Sequence, residues 1–221
     1  MKVYSWAVLL GLILGMFVQG LAQARLEFKV EGMSCAQCAR TATQVLSEMR
    51  GVDSAYVNFD SKKAVVIGDA KQLSSEKVKR TLQEHTSFEA VFPGESLPKP
   101  LTAQERSQLD YQVIKGGQKL DFADYLAGRK LTIFDFYADW CGPCRVFSPK
   151  LERLLLGYSD VALRKVDIVN WDSPVAQQLT KTYRMPALPF VLIFNEKEKL
   201  IGKVVGNEIE KVKKILDKHL K

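Results

Sequence analysis

All four cysteines of this 221-residue chain fall into two pairs, Cys35/Cys38 and Cys141/Cys144, each with two residues between its members. Two thiols at that spacing can close a disulfide, exchange one with a partner, or share a soft metal ion. No cysteine is left for a structural bridge between distant segments. Two histidines are too few for a histidine-rich metal centre. Beside Cys35/Cys38 no His or Cys completes the four ligands that zinc prefers.

Cys141 stands immediately after an apolar stretch that reads as a strand and at the start of a segment that reads as a helix. A thiol at a helix N-terminus faces unpaired N–H groups and the positive end of the dipole, which favours the thiolate. Cys141 is therefore expected to be the exposed nucleophile. Cys144, one turn on, is the thiol that would resolve a mixed disulfide and release the reduced substrate. Pro143 is tolerated there because its missing N–H costs little in a first helical turn. Cys35 and Cys38 also lie between a predicted strand and a predicted helix, where two thiolates would select Cu(I), an ion content with two ligands. The alternative for that pair is a second redox dithiol.

The elements that must position these pairs divide the chain. Pro93-Gly94-Glu95-Ser96-Leu97-Pro98-Lys99-Pro100 cannot continue a helix or a central strand, so residues 93–106 read as a semi-stiff linker with a helical turn near Thr102–Gln108. Residues 25–92 read as an α+β module in the order βαββαβ. Leu26–Val30 alternates as a half-buried strand, and a helix follows Cys38 with Ala42, Val45, Leu46 and Met49 inward. Gly51 stops that helix, Ser74 or Ser75 caps a second one, and Phe88–Phe92 closes the sheet. Residues 107–221 read as an α/β module with a mixed central sheet. Leu131–Tyr137 is apolar enough to be its central strand. Helices are expected from the second cysteine pair to Leu156, over Pro174–Tyr183 and over Glu208–Leu220, with a hairpin of Phe190–Phe194 and Leu200–Val205.

Residues 1–24 read as a secretory signal: Lys2, an apolar run from Trp6 to Val18, and Ala22-Gln23-Ala24 placing cleavage after Ala24. An uncleaved N-terminal anchor is the alternative; both place the rest of the chain in the periplasm or outside the cell. In such an oxidising compartment thiol chemistry needs a reductant. Composition, 47% hydrophobic and 26% charged, excludes a disordered chain and a multi-span membrane protein. The net charge of +7 sits largely on lysines near the C-terminus, Lys211 to Lys221, which excludes no surface but gives no nucleic-acid footprint.

Trp140-Cys141-Gly142-Pro143-Cys144 and its surroundings, about residues 110–221, resemble the thioredoxin family. The resemblance implies a thioredoxin fold, a mixed sheet flanked by helices, with no cofactor for the redox chemistry. It makes Asp135 a buried carboxylate that exchanges a proton with the resolving thiol, and Lys165 its neighbouring lysine. It makes Pro149 a kink in the active-site helix. Leu188-Pro189 matches the dipeptide whose proline is cis and packs against the disulfide, the preceding residue offering backbone hydrogen bonds to an extended substrate. Trp140, Gly142 and Pro143 complete that groove. Three features depart from the family beside or near the groove: Phe190 after the proline, Tyr137 for a common tryptophan, and a longer Val169–Tyr183 stretch containing Trp171. Gly-Pro between the cysteines resembles the reducing members more than the oxidases and isomerases.

Gly32-Met33-Ser34-Cys35-Ala36-Gln37-Cys38, with the βαββαβ order, resembles the heavy-metal-associated domain of copper chaperones, metal-pumping ATPases and periplasmic mercury carriers. The resemblance implies a ferredoxin-like fold over about residues 25–92, Cys35 and Cys38 as ligands, and Met33 packed beneath the loop. Ser34 stands where an acidic residue would favour Zn(II). Phe88 reads as packing and His85 as a solvated helix-end residue.

The combination points to an exported thiol–disulfide reductase coupled to a Cu(I)-type domain. Its substrate is a disulfide-bearing protein, with the Cys35/Cys38 disulfide of its own chain a candidate. Further partners would be a membrane thiol electron donor and a metal-transport or metal-acceptor protein, with no nucleic acid. The alternatives are a metal carrier that uses the second module for docking, and a disulfide oxidase or isomerase.

Overall fold

The computed structural model describes residues 22–220. The expected leader lies outside the described residues except for its last three positions. Among the described residues no helix is long and apolar enough to cross a membrane.

The first strand, β1 (Gln23–Glu31), starts earlier than the alternation at Leu26 marks, because Gln23 and Ala24 pair with Asp69 and Gly68. Cleavage after Ala24 would thus remove the first two residues of that strand. The order continues through α1 (Ala36–Ser47), β2 (Val52–Val57), β3 (Lys63–Asp69), α2 (Ser75–Thr86) and β4 (Glu89–Val91). The four strands form an antiparallel sheet in the order β2-β3-β1-β4. Inward positions of β1 and β3, among them Phe28, Val30, Ala64 and Val66, meet Ala42 and Leu46 of α1 and Val78 and Leu82 of α2 in one core. Helix α1 does not wait for Cys38: it begins directly after Cys35, which caps it, so Cys38 lies in its first turn. Its end also falls earlier than Gly51, which instead occupies the left-handed region (φ +86°) in the turn into β2. Ser74 is the cap of α2, accepting a hydrogen bond from the amide of Lys77 at 3.3 Å.

The connecting stretch is less free than its prolines imply. Thr102 and Glu105 form a reciprocal capping box on the short helix α3 (Ala103–Arg106). Leu101 is buried, and Arg153 donates to the carbonyl of Lys99 at 2.6 Å. An apolar side chain with a place to go, Leu101, fastens the second half of the expected linker to the module that follows.

That module contains β5 (Asp110–Ile114), a 3₁₀ turn at Phe122–Tyr125, β6 (Leu131–Tyr137), α4 (Gly142–Leu155), β7 (Val161–Asp167), α5 (Pro174–Tyr183), β8 (Phe190–Phe194), β9 (Leu200–Val205) and α6 (Ile209–His219). The sheet order is β5-β7-β6-β8-β9, with β5, β7 and β6 parallel and β8 and β9 antiparallel. Every residue of β6 except Tyr137 is buried, as a strand covered on both faces must be. On one face Phe147, Leu151 and Leu155 of α4 pack with Val212 and Leu216 of α6. On the other, Val175, Ala176 and Leu179 of α5 meet Phe134, Phe136 and Phe190. The sequence places Phe190 beside a groove; the structure places it wholly inside the core, 6.0 Å from Phe136 between ring centroids, because β8 is the central strand's neighbour.

Leu82, like Val78, is wholly buried where α2 packs into the first core. Leu82→Ala is expected to cost about 2–5 kcal/mol. Calorimetry should show this loss confined to the part of the unfolding transition that reports the first module.

Candidate functional site

Both cysteine pairs are built by the same local device. A strand ends, a cysteine in extended conformation caps a helix, and the second cysteine stands in the helix's first turn. The Cys141 sulfur accepts from the Cys144 amide at 3.1 Å, and the Cys35 sulfur from the Cys38 amide at 3.3 Å. The pairs differ in what surrounds them. Cys141, expected to be exposed, is instead buried, since it packs into the second module's core beside a turn that the Gly32 backbone covers; it is joined to the buried Cys144 by a disulfide. Cys35 is exposed, Cys38 half-buried, and both are free thiols with their sulfurs 2.7 Å apart. Burial works to raise the Cys38 thiol's pKa. Hydrogen bonds from Cys35 and from the backbone and hydroxyl of Ser34 outweigh it and hold the group below the ordinary thiol value.

Two soft donors at the surface, one favouring the thiolate, fit a soft ion that takes two ligands. Among the described residues no cluster of three or more His, Cys, Asp or Glu could hold a metal, so no closed zinc-type cage competes with this pair. Met33 is buried beneath the loop and Phe88 lies in the core, 3.5 Å from where a Gly32 side chain would start. His85 is exposed in the last turn of α2.

Under the second pair lies a chain of charge. Asp135, on β6, has no exposure; its Oδ2 accepts from the Ser148 hydroxyl at 3.0 Å and its Oδ1 has no partner. Burial raises its pKa, and the nearby Lys165 and the Ser148 hydroxyl only partly oppose this. Lys165 is the register partner of Asp135 across β6 and β7. Its ammonium bonds Glu152 Oε1 at 3.1 Å rather than Asp135, and lies 4.9 Å from the Tyr137 ring centre. Burial alone would lower the Lys165 pKa; Asp135 and Glu152 more than reverse that. Glu152, almost wholly buried, is held from its other side by Arg106 of α3 at 3.2 Å. Tyr137, the departure from the family's tryptophan, has its hydroxyl pKa pushed up to about 12 by burial and by Asp167 and Asp139. A cavity of about 400 Å³ runs along this chain from Arg106 and Pro100 past Glu152 and Lys165 to Ser148 and Cys144.

The family resemblance singled out Asp135 and Lys165 but not Ser148, Glu152 or Arg106. The signal for the first two was present: Cys144, Ser148 and Glu152 recur every four residues and so lie on one face of α4. Arg106 carried no such signal, since it comes from the connecting segment.

The remaining positions surround the disulfide. The Trp140 indole donates to the Val169 carbonyl at 2.7 Å, and its ring lies 5.9 Å from that of Trp171, so the longer stretch after β7 buttresses the exposed tryptophan. The Leu188–Pro189 bond is cis, Leu188 is buried, and the Pro189 carbonyl accepts from Gly206 at 2.8 Å. Pro143 follows Gly142 in the first turn of α4, and Pro149 lies inside that helix. A side chain at Gly142 would run into the carbonyl oxygen of Gly32, so the backbone of the Gly32–Met33 loop lies directly on the Cys-Gly-Pro-Cys turn.

Residues 113–218 match the thioredoxin family, and residues 27–89 match the heavy-metal-associated domain. The relatives agree. Thioredoxin-2 of Saccharomyces cerevisiae is 39% identical over 42% of this chain and 83% of its own length. Thioredoxin of Chlamydia trachomatis is 31% identical over 45% of this chain and 91% of its own. The chain belongs to the thioredoxin family. Thioredoxin-T of Drosophila melanogaster is 34% identical, and there the match covers 48% of this chain and 64% of that protein, slightly under two thirds. Thioredoxin membership supports protein-disulfide reductase chemistry at the second module, and the heavy-metal-associated match supports binding of a heavy metal ion at the first.

Because Asp135 ionises above the usual carboxylate range, the folded chain keeps a proton that the unfolded chain has already released. Its contribution to stability is therefore full below the ordinary carboxylate pKa and is lost as pH rises through the raised one. Asp135→Asn is expected to be more stable than the unsubstituted chain near neutral pH, the gain shrinking as pH falls toward ~4, the ordinary aspartate value. Urea titrations of the disulfide form across that range check it.

Proposed function

We propose that this chain is an exported protein-disulfide reductase that keeps a Cu(I)-binding dithiol of its own first module reduced. The observation that carries the reading is the contact of the Gly32–Met33 backbone, just before Cys35, with Gly142, between Cys141 and Cys144. An oxidised Cys35–Cys38 pair cannot bind a metal until it is reduced.

In the exchange, the Cys141 thiolate attacks one sulfur of the Cys35–Cys38 disulfide. That bond breaks, a Cys141 mixed disulfide forms, and a thiolate leaves on the first module. Cys144 then gives up its proton, with Asp135 as the nearby acceptor, and attacks Cys141. The mixed disulfide breaks, both first-module thiols are free, and two electrons have left Cys141/Cys144, which end as a disulfide. A membrane dithiol donor returns the electrons. The freed dithiol takes Cu(I) as cargo for a metal-acceptor protein. Export rests on the leader-like residues 1–24, and Cu(I) rests on the two-thiol donor set.

A carrier in which the second module serves only for docking would use the same contact. In that case Cu(I) transfer would be unaffected by Cys141→Ser.

Cys144→Ser in the full chain is expected to trap Cys141 in a disulfide with Cys35 or Cys38 when the first pair is supplied oxidised. Peptide mapping of the trapped species checks this. If the oxidised first pair persists in the intact chain beside a reduced second pair, the self-reduction reading is lost. Separately, Cys35→Ser/Cys38→Ser is expected to abolish stoichiometric Cu(I) binding in competition with a chromogenic chelator. Unchanged Cu(I) binding would remove the metal assignment.

A further inference from the structure

Apart from the Gly32–Gly142 contact, the two modules meet through a second set of groups that neither chemistry uses. Asn207, in the turn between β9 and α6, has no exposed surface. Its side chain is spent across the boundary and beside it. The amide nitrogen donates to Glu89 Oε2 of the first module at 2.8 Å, and the amide oxygen accepts from the Lys150 ammonium at 3.4 Å. Lys150, on α4, also pairs directly with Glu89 Oε2 at 2.7 Å, and both of these charged side chains are mostly buried. The Asn207 backbone carbonyl accepts from the side chain of Gln83 on α2.

Shape reinforces these bonds. Gly206 has φ +79°, and a side chain there would strike the Ser87 hydroxyl. Two loops of the first module, Gly32–Met33 and Ser87–Glu89, therefore seat on two features of the second, the α4 N-terminus and Gly206–Asn207. The latter feature is tied to the groove itself, because the Gly206 amide donates to the carbonyl of Pro189. A buried asparagine and a desolvated opposite-charge pair are costly unless every partner is present, which makes such a contact selective for one mate.

We infer that Glu89, Lys150 and Asn207 form a latch that docks the metal-binding module on the active-site face and makes its dithiol the preferred client over disulfides of other proteins. The inference rests on the proposed self-reduction and names what selects the client. Lys150 and Asn207 are positioning residues: they touch neither sulfur pair, and act by deciding what lies over Gly142. An external disulfide protein has to displace the first module to reach Cys141.

The test uses the full chain carrying Lys150→Glu, which sets two carboxylates against each other, and the exchanged pair Glu89→Lys/Lys150→Glu, which restores opposite charge. Two rates are read: turnover of insulin disulfides with dithiothreitol as donor, and single-turnover transfer from reduced Cys141/Cys144 to oxidised Cys35–Cys38, followed by alkylation and mass. Lys150→Glu is expected to raise insulin turnover and lower internal transfer, each by about tenfold, as loss of a desolvated charged partner should. The exchanged pair is expected to return both rates most of the way. Should Lys150→Glu fail to fold, Glu89→Gln keeps the shape, removes the charge, and is expected to shift both rates the same way by a smaller factor.

Insulin turnover and internal transfer both unchanged in the folded single variant would overturn the latch while leaving self-reduction standing. Both rates falling together, without recovery in the exchanged pair, would also overturn it and show damage to the catalytic module. No internal transfer even in the unsubstituted chain would remove the self-reduction reading, and with it the client preference inferred here.

Discussion

The hydrogen bond from the Cys144 amide to the Cys141 sulfur, 3.1 Å, and its counterpart from Cys38 to Cys35, 3.3 Å, set the geometry on which both centres depend. In each case the first cysteine replaces the Ser, Thr, Asp or Asn that ordinarily caps a helix. The cap fixes where the helix begins, and the helix brings the second sulfur over the first. The sheet upstream supplies the strand end from which the cap departs: β1 in one module, β6 in the other. One device thus serves two chemistries, and what separates them is burial. Around Cys141 and Cys144 the core closes and a carboxylate lies nearby; around Cys35 and Cys38 the loop leaves the first sulfur exposed.

The charged chain Asp135, Lys165, Glu152 and Arg106 is the costliest polar structure in the molecule. Two carboxylates on buried residues require cations close by, and the fold provides one from β7 and one from α3. Lys165 cannot serve both acids equally; it bonds Glu152 and leaves one oxygen of Asp135 unpartnered. An acid in that situation holds its proton at a pH where free aspartate does not. Once ionised, it is a stronger base than free aspartate and so better able to take a proton from a thiol nearby.

Much of this was legible before any coordinates. Alternation in β1, continuous apolarity in β6, the serine cap of α2 and the proline start of α5 are local rules, and local rules decided those elements. The cysteine spacing with its Trp and Gly-Pro neighbours identified the dithiol centre. What the sequence left hidden was set by distance in space. Phe190 reads as a groove residue until β8 is known to lie beside β6. Arg106 reads as part of a connector until α3 is seen against α4. Glu89, Lys150 and Asn207 are far apart in the chain, and no periodicity links them. The start of α1 was misplaced because a cysteine does not announce itself as a cap.

The connector between the modules has one further consequence. Glu95 is still tied to the first module through Lys79 and the Phe92 amide, while the Lys99 carbonyl is already tied to the second through Arg153. Only Ser96, Leu97 and Pro98 lie between these anchor points, a leash of at most roughly 14 Å at full extension. A leash so short turns the encounter of the two modules from a search into a hinge. The first module is thereby kept beside the face of the second on which it is docked, so the two dithiols share one neighbourhood whatever their concentration in solution.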